Sequence, residues 1–224
     1  MSVTLAVAVE DSPLPKVETD VLVAPFFAED RPLRGPAAWA DWRLCGLLDE
    51  ALGTGRMPTG LGEATLAPSG GRLAARRVLV LGLGARDALG FAELRTAANR
   101  AAESLLRLRA ADVAFAVPSQ ELTGIVPELA AELVVEAFAD AVAHTPRALR
   151  LRVVLAEDDA RSALHALRAL PVDLIGGAVA LRVERHIVTQ PEPQLEPPAR
   201  PAPPAPRPGV TVRRPQVKVR NLRV

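Results

Sequence analysis

The sequence contains a single cysteine, Cys45, among its 224 residues. One thiol cannot form an intramolecular disulfide, and it cannot build a cysteine-based zinc site. Cys45 lies within an apolar helical pattern, which predicts a small buried side chain rather than a reactive thiol. This cysteine usage is typical of a cytoplasmic protein, and we expect that location here.

Long hydrophobic runs are missing as well. The apolar stretches, such as residues 78–83, are far shorter than the roughly 20 residues that a membrane-spanning helix needs. Residues 1–5 have no basic region before their apolar positions, so we predict no secretory signal. The sequence therefore predicts no membrane partner.

Histidine and lysine are scarce. The three histidines are His144, His165 and His186, and none has another at the i+3 or i+4 spacing that helical metal sites use. This spacing predicts structural or surface roles for the three histidines. Lys16 and Lys218 are the only lysines, and every other basic residue is arginine. Nothing in these patterns predicts a metal or a cofactor.

What the sequence does contain is a regular alternation of strand and helix patterns. Short apolar runs predict strands at 3–9, 20–26, 62–66, 77–83, 113–117 and 149–155. Helical spacing predicts helices at 39–52 with Gly53 as C-cap, and at 91–110, 127–143, 159–170 and 174–188. Asp158 or Asp159 is the expected N-cap of the fourth helix. Strands separated by helices predict an α/β fold with a mixed, mostly parallel sheet and helices on both faces.

The strongest strand pattern is RRVLVLGLGARD at residues 76–87, and it ends in a Gly-x-Gly turn. A dinucleotide-binding loop needs G-x-G-x-x-G at the start of a helix, so that backbone N–H groups can approach a pyrophosphate. Gly82 and Gly84 fit this pattern, but Asp87 stands at the third position, and its carboxylate would repel a phosphate. We therefore interpret the turn as structural.

The composition changes abruptly after the last helical pattern. Residues 190–208 contain nine prolines, which predict an extended, polyproline-like spacer. Residues 209–224 alternate valine with arginine or lysine, which is strand periodicity, and they carry a charge of +5. We divide the chain into a domain at 1–188, a Pro-rich linker at 189–208 and a basic, strand-like tail at 209–224. Because an isolated strand is not stable, the linker and tail are expected to be mobile unless the tail adds to a sheet.

Three segments resemble the N-terminal domain of the leucyl (cytosol) aminopeptidase family, and they occur in that domain's order. TDVLVAPFF at 19–27 is similar to its second strand. WRLCGLLDEALGTGRMPTGLGEATLAPSGG at 42–71 is similar to its helix, hairpin tip and following strand. LAARRVLVLGLGARDALGFAELRTAANRAAESL at 73–105 is similar to its Gly-Leu-Gly strand exit and the next helix. The resemblance implies a three-layer α/β/α, macro-like domain in which the Gly-x-Gly turn holds no cofactor.

The resemblance stops before the catalytic half of that family. AVALRVERHIVTQPEP at 178–193 is similar to the helix that leads into that half, with Arg185 and Pro191 at its characteristic positions. The family hydrolyses peptides with two bridging metal ions, whose ligands lie on an Asn-Thr-Asp-Ala-Glu-Gly-Arg segment and its neighbours. The sequence contains no such segment. The resemblance therefore implies a pseudoenzyme, without catalytic or metal-binding residues.

These observations lead to one main hypothesis about function and two alternatives. The main hypothesis is a non-catalytic adaptor whose tail binds an acidic partner protein by strand addition. One alternative is a regulatory protein that binds nucleic acid through the basic tail. The other is an ADP-ribose or nucleotide-binding module, as the macro-like fold suggests. The predicted partner-binding residues of the tail are Arg213, Arg214, Val217, Lys218, Val219 and Arg220.

Overall fold

The computed structural model describes residues 3–145, 147–170, 179–186 and 220–222. This part of the chain forms a single sheet with helices on both sides. The strands are β1 (Val3–Glu10), β2 (Val21–Phe26), β3 (Ala64–Pro68), β4 (Arg77–Gly82), β5 (Asp112–Ala116), β6 (Leu149–Val154), β7 (Val179–His186) and β8 (Arg220–Leu222). The helices are α1 (Gly35–Arg43), α2 (Leu47–Gly53), α3 (Phe91–Arg107), α4 (Gln120–Thr123), α5 (Pro127–Ala143) and α6 (Glu157–Ala169).

The sheet is mixed and mostly parallel. Its spatial order is β7-β1-β6-β5-β2-β4-β3-β8. The six strands from β7 to β4 in this order run parallel to one another. β3 is antiparallel to β4, and β8 is antiparallel to β3. The predicted fold class is confirmed. In the described residues, no helix has the length and apolar character needed to cross a membrane.

The central strands are buried on both faces, which explains their near-continuous apolar sequences. In β4, Leu79 and Leu81 point into one core, which also contains the buried faces of α3, α5 and α6. Val78 and Val80 point into a second core, which contains the buried faces of α1 and α2. On the first side, the Phe115 ring meets Phe138 of α5 edge to face, with ring centroids 6.2 Å apart.

The helix predicted at 39–52 is two helices, because the backbone turns between α1 and α2. Cys45 and Gly46 both adopt the left-handed conformation, with φ of 60° and 82°. Asp41 secures the turn, since its carboxylate accepts hydrogen bonds from the N–H groups of Leu48 and Asp49 at 2.9 and 3.1 Å. The turn leaves Cys45 exposed, so the expectation of a buried thiol is wrong.

The N-cap expected for α6 is also displaced. Ala156 is the N-cap, and neither Asp158 nor Asp159 caps the helix with its side chain. Together with Glu157, these two residues form the first turn instead. Carboxylates in a first turn interact favourably with the positive end of the helix dipole, so these residues stabilise the start of α6 without capping it.

The prediction of a last helix at 174–188 is wrong over residues 179–186, the part of this range that the structure describes. Residues 179–186 form β7, which pairs in parallel with β1 along its whole length, from Val3↔Val179 to Glu10↔His186. The sequence here alternates valine or leucine with arginine or glutamate, which is strand periodicity. The likeness of 178–193 to an interdomain helix fails over the same residues, and Pro191 lies outside the described part of the chain.

The opposite edge of the sheet is formed by the end of the tail. β8 pairs with β3 through Arg220↔Leu66, Asn221↔Thr65 and Leu222↔Ala64. The predicted linker at 189–208 and tail residues 209–219 lie outside the described residues, so the expected domain boundaries stay predictions.

One buried ion-pair network ties three neighbouring strands together. Arg152 of β6 donates two hydrogen bonds to the Asp112 carboxylate of β5, at 3.0 and 2.9 Å. It donates a third to Glu10 Oε2 of β1, at 3.2 Å. Donation to Asp112, the largest contribution, raises the pKa of Arg152 above its ordinary value. The three side chains act as one charged unit on the α1/α2 side of the sheet.

Candidate functional site

The sheet order creates a topological switch point between β2 and β5. From β2 the chain continues through α1 and α2 toward β4, whereas from β5 it continues through α5 to β6 on the other side. Because the two connections leave in opposite directions, a crevice opens beyond the carboxyl ends of the strands. Its lining includes Val117–Ser119 after β5, Leu155 and Ala156 after β6, and the start of α1. Open α/β sheets bind their ligands in crevices of this kind.

The crevice has a volume of about 200 Å³ and mainly apolar walls. The walls come from α1, from the segment that follows β5, and from the first turns of α5 and α6. Its main lining side chains are Leu14, Pro36, Trp39, Leu122, Pro127 and Asp159. A groove with this lining offers flat apolar surfaces and a single carboxylate.

Two tryptophans stand beside the crevice on α1, and they are the only tryptophans in the chain. Trp39 lines the crevice and is 40% exposed, and Trp42 is 48% exposed. Their rings meet edge to face, with centroids 5.9 Å apart, and the Arg43 guanidinium lies 5.6 Å from the Trp42 ring centroid. Exposed aromatic side chains next to a groove are typical of binding surfaces.

Sequence reasoning missed these tryptophans as site residues. It grouped Trp39 with the apolar face of one long helix, but α1 buries Ala37 and Ala40 instead. Small residues face the sheet here, and the large rings are left at the surface. The signal that points to them is the Trp-x-x-Trp spacing, which places both rings on one face of a helix.

The α6 side of the crevice is acidic. Glu157 and Asp158 are exposed, and Asp159 lines the crevice. Burial raises the pKa of Asp159, and the charges of Glu128 and Asp158 raise it further. A raised carboxyl pKa means that negative charge is already disfavoured at this position. Burial disfavours charge of either sign, whereas the carboxylates at 128 and 157–159 add negative potential on this side of the crevice, which opposes phosphate groups.

The hydrogen bonds of the Arg86 side chain hold neighbouring loops together. Its guanidinium donates to Asp30 Oδ1 at 2.6 Å and to the Leu122 carbonyl at 2.7 Å, and it lies 4.0 Å from the Phe27 ring centroid. Asp30 is 3% exposed and also accepts a hydrogen bond from the Phe27 N–H at 2.9 Å. Arg86 thereby joins the loops that follow β2, β4 and β5. It supports the wall of the crevice and is not positioned to bind an anion inside it.

The Gly-x-Gly turn is occupied by protein backbone. A Cβ on Gly82 would lie 2.5 Å from the Gly60 carbonyl oxygen, so the chain at 59–60 packs directly on this glycine. The Gly82 carbonyl accepts a hydrogen bond from the Gly62 N–H at 2.7 Å. Gly84 has φ of +72°, and its carbonyl accepts the Ala28 N–H at 2.9 Å. Gly82 therefore serves close backbone packing and Gly84 a left-handed turn, as the structural interpretation predicts.

A second hollow, of about 380 Å³, lies at the opposite end of the sheet. It contains Asp20, Arg76, Asp112 and Arg152. These charges are already paired, since Arg152 bonds Asp112 and Arg76 Nη1 lies 3.7 Å from Asp20 Oδ1. The hollow is therefore a weaker candidate for ligand binding than the crevice.

The predicted tail residues are only partly placed. Arg220 is the first residue of β8 and pairs with Leu66. The other predicted tail residues, Arg213, Arg214, Val217, Lys218 and Val219, lie outside the described part of the chain. Their role as partner-binding residues stays a prediction.

Two of the three histidines can be placed fully. His144 is the C-cap of α5 and His165 lies on α6, and both are exposed. His186 is the last residue of β7. Among the described residues, no three His, Cys, Asp or Glu side chains are grouped so as to hold a metal ion.

The sequence profile described as "Cytosol aminopeptidase family, N-terminal domain" matches residues 23–144, which is more than half of the chain. The chain belongs to the cytosol aminopeptidase family. The matched residues run from β2 through α5 and include the crevice walls on α1 and α5. The match is confined to the family's N-terminal domain. No curated protein matches the chain.

Solved macrodomain structures share the fold of this family member. A macrodomain from Oceanobacillus iheyensis with ADP superposes with a TM-score of 0.57 at 16% identity, covering 69% of this chain and 86% of its own. A Trypanosoma brucei macrodomain in complex with ADP-ribose gives 0.59 at 16% identity, covering 70% and 67%. The macrodomain of Mycobacterium tuberculosis DarG gives 0.52 at 15% identity, covering 65% and 96%. At such identities the likeness establishes the macro-like fold alone.

Proposed function

We propose that this chain is a non-catalytic interaction module, in which a macro-like domain carries a C-terminal strand that binds by strand addition. The observation that carries the proposal is the antiparallel pairing of Arg220–Leu222 with residues 64–66. A segment that pairs with one sheet edge has the backbone geometry needed to pair with another. A cytoplasmic location, expected from the cysteine usage, is part of the same proposal.

The composition of the tail supports a protein partner with an acidic sheet edge. In strand addition, main-chain hydrogen bonds give affinity, and side chains on alternate positions give specificity. Valines at 217 and 219 alternate with Lys218 and Arg220. The apolar positions can pack on one face of a partner sheet, while the basic positions favour negative charge beside its edge.

Two sets of substitutions in the tail separate strand addition from simple charge attraction. Val217→Asp with Val219→Asp is expected to abolish binding by the tail, because carboxylates replace the side chains that pack on the partner sheet. Binding is measured by pull-down with the full chain, followed by quantification of each recovered partner. The matched variant, with Arg213, Arg214 and Arg220 changed to Gln, keeps the valines and is expected to weaken protein binding only partly.

The opposite pattern would support the nucleic-acid alternative. If the valine changes leave every recovered partner in place, strand addition is wrong. If the arginine changes also abolish binding to a DNA or RNA probe and flatten its dependence on salt, the tail acts through phosphate contacts.

Nucleotide binding in the crevice is a second candidate, favoured by the position of the crevice at the switch point. The Trypanosoma brucei macrodomain was solved with ADP-ribose. Two observations weigh against a diphosphate here: the turn at 157–159 is acidic, and the Arg86 guanidinium is already paired with Asp30. We therefore rank this function below the adaptor role.

We further propose that the chain has no aminopeptidase activity. The family match ends at residue 144, within the N-terminal domain, and the sequence lacks the segment that carries the metal ligands in relatives. The purified protein is expected to leave leucyl-amide substrates intact with Mn²⁺ or Zn²⁺, whereas a two-domain family member assayed in parallel cleaves them. Metal-dependent turnover that co-elutes with the protein through successive columns would contradict this.

A further inference from the structure

The Trp39 crevice has the chemistry of a site for a proline-rich, arginine-bearing segment. Its walls are aromatic and apolar, and Trp39 leaves two-fifths of its surface exposed. Extended polyproline segments dock in aromatic-lined grooves, because their rings pack flat on indole and they are already ordered before binding. An arginine in such a segment would meet the acidic first turn of α6.

We infer that the crevice binds the chain's own proline-rich segment, residues 191–208, with proline rings against Trp39 and an arginine beside Asp159. This inference goes beyond the proposed function, because it assigns a binding partner to the folded domain rather than to the tail. It does not depend on strand addition by residues 209–224.

The connection between the two sheet edges makes this contact accessible. β7 runs parallel to β1, so β7 ends, with His186, at the same end of the sheet as the crevice. The strands at the crevice, β5 and β2, are three and four places away from β7 in the sheet order, a distance of roughly 15–19 Å. Pro191 follows His186 by five residues, which span about 16 Å when extended. The proline-rich segment can therefore begin at the crevice.

The far end of the connection lies across the sheet. Arg220 pairs with Leu66 on the opposite edge, seven strand spacings or roughly 34 Å from β7. The 33 residues at 187–219 reach about 100 Å in polyproline form, so they can cross the crevice without strain. Because β8 is antiparallel to β3 and β3 to β4, the chain enters β8 from the amino end of the sheet. The reach of about 100 Å is enough to pass over the crevice first and then to return to that end.

The charges of the second half of the segment complement those of the crevice. Residues 191–196 contain Glu192 and Glu196, whereas residues 197–208 contain Arg200 and Arg207 and no acidic residue. On the domain, the residues at 157–159 are all acidic, and Glu128 acts electrostatically on Asp159. Arg161 lies 3.6 Å from Glu157, and both side chains are largely exposed. An exposed pair of this kind offsets little of the local negative potential.

The two tryptophans allow a direct test in the full chain. In a Trp42→Phe background, Trp39 is the only indole, and acrylamide quenching of its fluorescence measures how far it is covered. Arg200→Glu with Arg207→Glu, or Pro203, Pro204 and Pro206 all changed to Ser, is expected to raise the quenching constant roughly two-fold, because the indole loses its cover. The matched control, Arg213→Glu with Arg214→Glu, adds the same charge outside the segment and is expected to change nothing.

A charge exchange checks that the acidic turn is the binding surface. Glu157→Lys with Asp159→Lys is expected to uncover Trp39 when made alone. Combined with Arg200→Glu and Arg207→Glu, it is expected to restore the native quenching constant. Far-UV circular dichroism confirms that each variant is folded, so that exposure of Trp39 cannot come from unfolding.

Three results would overturn the inference. The first is a quenching constant that neither the arginine nor the proline variant changes. The second is cover of Trp39 that falls on dilution, which would assign the crevice to a second molecule. The third is a Trp39 that becomes protected from quenching only when ADP-ribose is added, which would assign the crevice to a nucleotide. Val217→Asp with Val219→Asp should leave Trp39 covered, so failure of the proposed function is distinguishable from failure here.

Discussion

Replacing Gly82 by alanine is expected to lower the free energy of unfolding by about 2 kcal/mol, because the new methyl group has no space. Its Cβ would lie 2.5 Å from the Gly60 carbonyl oxygen and 3.1 Å from the Thr59 carbonyl carbon. Both contacts are with backbone, which cannot rotate away as a side chain can. The backbone is also held there, since the Gly62 N–H donates to the Gly82 carbonyl at 2.7 Å and the Gly82 N–H donates to the Glu63 carbonyl at 2.8 Å.

The measurement is urea denaturation followed by circular dichroism, or a melting temperature that falls by roughly 4–8 °C. Gly53→Ala is the matched control, because a Cβ on Gly53, the last residue of α2, meets nothing within 4 Å. That variant is expected to be neutral or stabilised by up to about 1 kcal/mol. If Gly82→Ala unfolds no more easily than Gly53→Ala, the turn does not serve close packing, and its interpretation as structural fails.

The sequence predicts those elements best that are determined by local patterns. The helix expected at Pro127–Ala143 has the expected bounds, because proline at the first turn and a sustained 3.6-residue period mark it locally. The strand expected at 77–83 is β4, whose apolar run is continuous because the sheet is buried on both faces. Such signals need no knowledge of the rest of the fold.

The failures concern features that depend on distant residues. β7 was predicted as helix, although it completes a parallel pairing with β1, more than 170 residues earlier in the chain. The local sequence has the alternation of a strand, but the partner strand that decides between strand and helix is not visible in it. The break at Cys45 needs a left-handed non-glycine residue, which propensity alone does not predict.

The candidate site was not predictable for the same reason. The crevice is assembled from α1, the segment after β5, and the starts of α5 and α6, which meet only in the folded sheet. The family resemblance predicted the macro-like fold, and therefore the sheet, but solved structures at 15–16% identity do not determine the lining. Trp39, Arg86 and Asp159 thus emerge as site residues only from the structure.

Removing the guanidinium of Arg152 is expected to destabilise the protein by about 3 kcal/mol, because it leaves buried carboxylate charge without a partner. In the native structure the Arg152 side chain is 14% exposed and Glu10 is 3% exposed. Arg152→Met keeps much of the side-chain volume but removes the three hydrogen bonds to Glu10 and Asp112. The loss is measured by urea denaturation at neutral pH.

Two further variants identify the cause. Arg150→Met removes an arginine from the same strand that is 60% exposed and lies 3.8 Å from Asp112, and it is expected to cost less than about 1 kcal/mol. In the Arg152→Met variant the Glu10 carboxylate, which is 3% exposed, has lost its arginine partner. Adding Glu10→Gln removes this unpaired buried charge and is expected to recover about half of the lost stability. Because the network links β1, β6 and β5, its loss should also speed amide exchange in all three strands. If Arg152→Met costs no more than Arg150→Met, the network contributes nothing beyond an ordinary surface pair, and apolar packing alone holds these strands together.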